Sequence, residues 1–226
     1  MSRPGGASIA LLAKAPVVGR VKTRLTPPLA PEDAAAVARA SLVATIAAVA
    51  GKPALPLTLF LEGTLDEPLA AWVASRGVDV RAQGEGDLGE RLRAAFAALF
   101  EEGAARVIAI GSDSPTLPFE RLFAADAALR AHDAVLGPAE DGGYYLIGLA
   151  RPEWRLLREI PWSRENVASV TLERAAAIGA SIATLDPWYD IDDIASLRRA
   201  WSDAHPESLF RQALRSIEAR IADARV

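Results

Sequence analysis

Short apolar runs alternate along this chain with longer stretches in which apolar residues recur every three or four positions. Residues 9–13, 57–61, 78–81, 106–110, 134–137, 144–149 and 181–184 read as strands, being short and bounded by turn residues. Between them, 31–50 opens on a proline and two acids, the signature of a helix start. Further helices are predicted over 65–75, with Trp72 on the apolar face, then up to about residue 100, and over 119–130. Another runs over 162–178, with Ser163 as its N-cap, and another over 194–201. Residues 207–226 carry Leu209, Phe210, Leu214, Ile217 and Ile221 on one stripe, which predicts a C-terminal helix packed on the body or, alternatively, at a homodimer contact. No repeat, linker or composition break interrupts the alternation. The pattern predicts one α/β domain over 1–226, with a mostly parallel sheet and helices on both faces.

Composition narrows the partners. With 226 residues and 51% hydrophobic content, the chain can bury a sizeable core. A formal charge of −4 argues against general nucleic-acid affinity. There is no cysteine, so thiolate chemistry and Cys-ligated zinc are excluded, and a metal would have to use oxygen ligands or the two histidines. No apolar run reaches the roughly 18 residues that span a bilayer, and MSRPGGAS lacks the apolar core of a signal peptide, so a cytoplasmic protein without membrane contact is expected.

The local charge pattern departs from this overall balance. The first strand opens into a loop bearing Lys14, Pro16, Gly19, Arg20, Lys22, Thr23 and Arg24, with four cations in eleven residues. Gly19 can take positive φ and let backbone N–H groups approach a phosphate, which the fixed cations would neutralise. The spacing is neither that of a Walker A loop nor that of a dinucleotide fingerprint. A second glycine-rich loop, Gln83-Gly84-Glu85-Gly86-Asp87, feeds a helix, and Asp87 with Glu90 also reads as a capping box. The most strand-like segment ends in Gly111-Ser112-Asp113-Ser114-Pro115. In a parallel α/β sheet, ligands sit beyond the carboxyl ends of strands, so Asp113 falls beside the basic loop. Asp141-Gly142-Gly143 forms a tight turn before Tyr144, and Asp190-Ile191-Asp192-Asp193 opens a late helix. A magnesium-like ion takes one or two carboxylates plus phosphate oxygens, a pair that Asp113 and Asp192 can supply.

KAPVVGRVKTRL, GSDSPTLP, GPAEDGGYYLIGL and DIDDIASL, in this order, resemble the bacterial glycosyltransferase-like proteins of GT-A fold. That family is similar to phospholactate guanylyltransferases and, more distantly, to molybdenum-cofactor guanylyltransferases and sugar-nucleotide cytidylyltransferases. The resemblance spans residues 7–203 and implies a Rossmann-like nucleotide-binding transferase. On it, Lys14, Gly19, Arg20, Lys22 and Arg24 hold phosphates, with Gln83 and Asp87 near the base. Asp141, Gly142, Gly143 and Tyr144 meet the acceptor or ribose. Asp113 and Asp192 hold Mg2+ or Mn2+, with Asp190 as the second choice, and Lys22 and Asp113 carry the catalysis. The chain departs from the family at Asp193-Ile194, where Thr-Pro is usual, and at Ser112-Asp113-Ser114, which has one carboxylate where glycosyltransferases show Asp-x-Asp. The expected function is nucleotidyl transfer from an NTP to a small phosphorylated or hydroxyl acceptor. The alternatives are glycosyl transfer from a nucleotide sugar and a nucleotide-binding module without turnover.

Overall fold

The structure, a computed structural model, describes residues 6–52, 54–162 and 165–224. Its strands are β1 (Ser8–Lys14), β2 (Leu57–Glu62), β3 (Asp79–Ala82), β4 (Val107–Gly111), β5 (Ala134–Pro138), β6 (Tyr144–Leu149) and β7 (Ile182–Thr184). Its helices are α1 (Pro31–Val49), α2 (Glu67–Ser75), α3 (Leu88–Glu101), α4 (Glu120–Ala128), α5 (Val167–Ala177), α6 (Ile194–Asp203), α7 (Leu209–Leu214) and α8 (Glu218–Asp223). The strands form one seven-stranded sheet in the order β3-β2-β1-β4-β6-β5-β7. Only β6 runs against the rest, pairing antiparallel with β4 and β5.

The central strands are apolar at nearly every position because both faces of the sheet are covered. On one face, Ile9, Leu11 and Ala13 of β1 join Ile108 and Ile110 of β4 under apolar residues of α1, α2 and α4. On the other, Ala10, Leu12 and Ala109 pack against Leu92, Phe96 and Leu99 of α3 and Ala168 and Ala175 of α5. A third cluster lies outside α1, where Ala34, Val37 and Ala40 meet α6, α7 and α8. α1 is therefore covered on two sides, which is why its alanine-rich sequence shows little amphipathic contrast.

Two expected helices differ from the sequence pattern. The 207–226 stripe is not one helix: α7 ends at Leu214, Arg215–Ile217 tighten into a 3₁₀ turn, and α8 follows. The break turns Phe210, Leu214, Ile217 and Ile221 all into the third cluster, against the body of the protein. Arg198 of α6 closes the far end by donating to the carbonyls of Ile221 (3.0 Å), Ala222 (2.8 Å) and Ala224. The helix expected from residue 162 begins instead at Val167. Its proposed cap, Ser163, lies outside the described residues, and Trp162 is occupied against Gly89 of α3. Among the described residues no helix is long and apolar enough to cross a membrane.

Candidate active site

β1 and β4 are neighbours in the sheet and both deliver their chains to its carboxyl edge, where ligands of open α/β sheets bind. After β1 the backbone turns sharply. Gly19 takes φ +73° and Lys22 φ 48°, a left-handed conformation that lysine seldom adopts and that marks a constrained position. Val21 and Leu25, both buried, hold the backbone on either side of Lys22. The Lys22 side chain, only 7% exposed, donates from Nζ to the Asp113 carboxylate at 2.7 Å and to the Ile191 carbonyl at 2.5 Å.

The same three segments are joined twice more. The Ile191 N–H donates to the Asp113 carbonyl at 2.9 Å, and the buried Ser114 hydroxyl donates to the Asp190 carboxylate. The first loop, the end of β4 and the 190–192 segment thus converge although they lie up to 170 positions apart.

The resulting field is dominated by carboxylates. Burial pushes the Asp190 carboxyl up to about 6; Asp113 and Asp141 reinforce that rise, while Ser114 and Lys22 oppose it. Burial also raises Asp192, against Lys22 and Arg24 and with the repulsion of Asp113 and Asp141. Crowded carboxylates of this kind suit a divalent cation with oxygen ligands. Among the described residues no group of three or more His, Asp or Glu side chains is gathered to hold an ion. Asp113, Asp190 and Asp192 are oxygen donors of the type a magnesium-like ion takes, which would leave its remaining ligands to phosphate and water.

Lys22, Asp113, Asp190 and Asp192 line a cleft of about 630 Å³ that also takes in Lys14, Arg20, Arg24, Gln83 and Tyr144. Lys14 and Arg24 are largely exposed, 3.9 Å from Glu62 and 3.6 Å from Asp192 respectively. Tyr144 stands edge-on to Trp162 at 6.1 Å, and its buried hydroxyl has no hydrogen-bond partner among the described residues. Burial raises that hydroxyl's pKa well above its ordinary value.

Gly19, Asp87 and the Asp141–Gly143 turn are not among the residues that line the cleft. Asp87 is engaged in the capping box of α3, accepting from the Glu90 N–H at 2.9 Å while Glu90 accepts from the Asp87 N–H at 3.0 Å. Gly142 takes φ +88°, and a Cβ there would sit 1.7 Å from the Glu165 carbonyl oxygen. Its own carbonyl accepts from the Ala168 N–H at 2.9 Å, and Asp141 accepts from the Gly143 N–H at 2.8 Å. The Asp141–Gly143 turn is thus a seat for the start of α5, with Tyr144 reaching the cleft beyond it. Asp193 caps α6 through Ser196.

Two residues of the site were not expected. Ser114 reads in the sequence only as a spacer after Asp113. Arg91, which lines the cleft from α3, reads as one more charge on an amphipathic helix; its partner Glu62 follows the apolar run of β2 and gives no signal of its own.

Residues 45–164 match the family described as "Uncharacterized protein conserved in bacteria (DUF2064)". The chain belongs to that family. The match covers Gln83, Arg91, Asp113 and the Asp141–Tyr144 turn, while the first loop and Asp190–Asp192 lie outside it. No curated protein matches the sequence. Among solved structures, a protein of Desulfovibrio desulfuricans G20 assigned to the nucleotide-diphospho-sugar transferases is 28% identical over 100% of both chains, with a TM-score of 0.86. CMP:2-keto-3-deoxy-manno-octonic acid synthetase complexed with CTP is 12% identical, covering 87% of this chain and 97% of its own, at a TM-score of 0.55. Rv0371c of Mycobacterium tuberculosis H37Rv in complex with manganese is 17% identical, covering 88% and 100%, at 0.51. The fold is that of nucleotide-diphospho-sugar transferases, a mixed α/β sandwich of GT-A type.

Proposed function

We propose that this family member is a single-domain nucleotide-utilising transferase that moves a nucleotidyl group from an NTP to a small phosphorylated or hydroxyl acceptor. The observation that carries the reading is the Lys22 ammonium joining Asp113 to the 190–192 segment beside a cleft with exposed cations. Such a floor can hold a triphosphate beside the exposed Asp113 and the half-buried Asp190 and Asp192. In the proposed step an acceptor oxygen attacks the α-phosphorus, the bond to the β-phosphate breaks, and pyrophosphate leaves with the electron pair.

Asp113 and Asp192 would hold a divalent cation, and Asp190 stands beside them. When bound, that cation supplies charge neutralisation on the phosphates. The buried Lys22 ammonium fixes the half-exposed Asp113 carboxylate by an ion pair. Lys14, Arg20 and Arg24 offer charge to the leaving phosphates. Tyr144 also lines the cleft. Kinship to phospholactate and molybdenum-cofactor guanylyltransferases and the use of Mg2+ or Mn2+ are part of the same reading; the neighbours solved with manganese and with CTP support a divalent cation and a nucleotide ligand in kind.

Glycosyl transfer from a nucleotide sugar is the second reading, favoured by the assignment of the 28% identical Desulfovibrio chain. The two differ in donor. Thermal unfolding with each NTP and each common nucleotide sugar, with and without magnesium, tests the choice, because a ligand that binds only the folded chain raises its midpoint. Nucleotidyl transfer predicts a larger magnesium-dependent shift with an NTP than with the matching nucleotide sugar. The reverse order supports glycosyl transfer, and no shift with any of them contradicts both.

A further inference from the structure

On the β3 side of the cleft an arginine is held by three acceptors. β3 and the start of α3 bring Gln83 and Arg91 to the cleft, with β2 and β1 lying between them and β4. Arg91 Nε donates to the Gly86 carbonyl at 3.0 Å, and Nη1 donates to Gln83 Oε1 at 2.9 Å and to the Glu62 carboxylate. Gln83, 6% exposed, is fully engaged in this arrangement: its Nε2 donates to the carbonyls of Phe60 (3.2 Å) and Ala13 (3.4 Å) while its Oε1 accepts from Arg91. The amide that the sequence offered as a base contact is therefore used inside the protein. Arg91 keeps one nitrogen, Nη2, with both N–H groups unpaired among the described residues. On the same face of α3, Leu88 and Leu92 line the cleft one turn before Arg91 and one residue after it. Leu88 is 43% exposed, an apolar side chain that leaves an uncovered ledge beside a cation.

We propose that Arg91 selects the nucleobase, favouring one with a carbonyl on its distal edge, guanine or uracil, over adenine and cytosine, which carry an amino group there. The inference rests on the nucleotide-binding reading above. With phosphates at the Lys22–Asp113 side, the base extends toward α3, its ring against Leu88 and Leu92 and its distal edge at Arg91. A guanidinium clamped by three acceptors can only donate, and it cannot turn over to accept. A carbonyl oxygen satisfies it, whereas an amino group sets donor against donor and leaves both desolvated.

The test is calorimetric titration of the full chain, with magnesium present, using GTP, UTP, ATP, CTP and inorganic tripolyphosphate, which has no base. The expected result is that GTP or UTP binds at least about tenfold more tightly than ATP and CTP, the size of one good base contact. The GTP and UTP arms then distinguish purine from pyrimidine. Arg91→Gln, whose amide can donate or accept, should bring the four NTPs within about twofold while tripolyphosphate binds as before. Arg91→Lys, which keeps the charge but not the planar fork, should lose most of the preference too. Tightest binding of ATP or CTP by the wild-type chain overturns the proposal, and so does an unchanged preference in Arg91→Gln. The wild-type rank order stands as a test even if a variant unfolds. Equal binding of all four NTPs together with tripolyphosphate binding defeats the Arg91 proposal and leaves the nucleotide-binding reading standing. Failure of every probe to bind defeats both.

Discussion

At the scale of single residues, polar groups that the sequence presents as interchangeable turn out to have distinct tasks. Asp126 is buried and accepts from the Ala7 N–H at 3.0 Å, Arg106 Nε at 2.7 Å and Arg130 Nη2 at 3.3 Å, tying the start of β1 to α4. Asp126→Ala would remove the buried carboxylate that the Ala7 N–H, Arg106 and Arg130 share, and urea denaturation should show a loss of about 3 kcal/mol. A change below about 0.5 kcal/mol would mean that the network is solvated. Gly142 carries a different constraint, positive φ together with contact against Glu165. Gly142→Ala should cost about 2 kcal/mol, seen as a lower thermal midpoint, because both backbone strain and the approach of α5 oppose a Cβ. A midpoint equal to wild type would contradict this placement. Neither task was visible beforehand. Asp126 sits mid-helix among alanines, and the Asp-Gly-Gly turn reads equally as a ligand loop, because its partner Glu165 is 23 positions further on. The place of Asp113 beside the first loop, by contrast, was legible, because it follows a strongly apolar strand at the carboxyl edge of a mostly parallel sheet.

At the scale of elements, hydrophobic periodicity located the strands and most helices, since each strand carries an apolar run and each long helix an amphipathic or capped start. It failed where a partner element decides the outcome. The C-terminal stripe has correct helical spacing, but burying Phe210, Leu214, Ile217 and Ile221 together against α1 and α6 comes with a 3₁₀ break that no local residue announces, and Leu209 stays exposed. The same region is latched by charge: Arg220 donates to Asp33 of α1 from Nε at 2.7 Å and from Nη2 at 2.9 Å. Arg220→Ala should raise amide exchange in α7 and α8 at least about tenfold while leaving β1 and β4 protected, since local opening follows local contacts. Uniform acceleration across the sheet would show that the latch supports the whole fold. The first loop is the opposite case. Its cations and Gly19 marked it as a ligand loop, yet the inward, left-handed placement of Lys22 could not be read from spacing, because it depends on Ile191 closing over it from the far end of the chain.

At the scale of the whole molecule, an acidic protein concentrates cations along one cleft and sets them against its most crowded carboxylates. The sheet order explains how: β1 and β4 lie side by side, so the basic loop and Asp113 meet, and the chain leaving β7 crosses back to bring Asp190 and Asp192 to them. The Desulfovibrio relative shares this whole length, whereas the CTP-bound and manganese-bound structures, under 20% identical, share the fold alone. The exposed part of the cation set should make nucleotide affinity fall as salt rises, with Lys14→Ala and Arg24→Ala each flattening that dependence in titrations between low and high ionic strength. Affinity that ignores salt would place the phosphates away from the rim. The central claim is that Asp113, held by Lys22, is the carboxylate through which a divalent cation and a nucleotide bind together. Its most direct test is titration of an NTP into wild-type protein and Asp113→Asn, each with magnesium and with EDTA. The account predicts magnesium-dependent binding in the wild type that Asp113→Asn weakens at least about a hundredfold, with the folded midpoint little changed. Equal, magnesium-dependent binding by both proteins would contradict it.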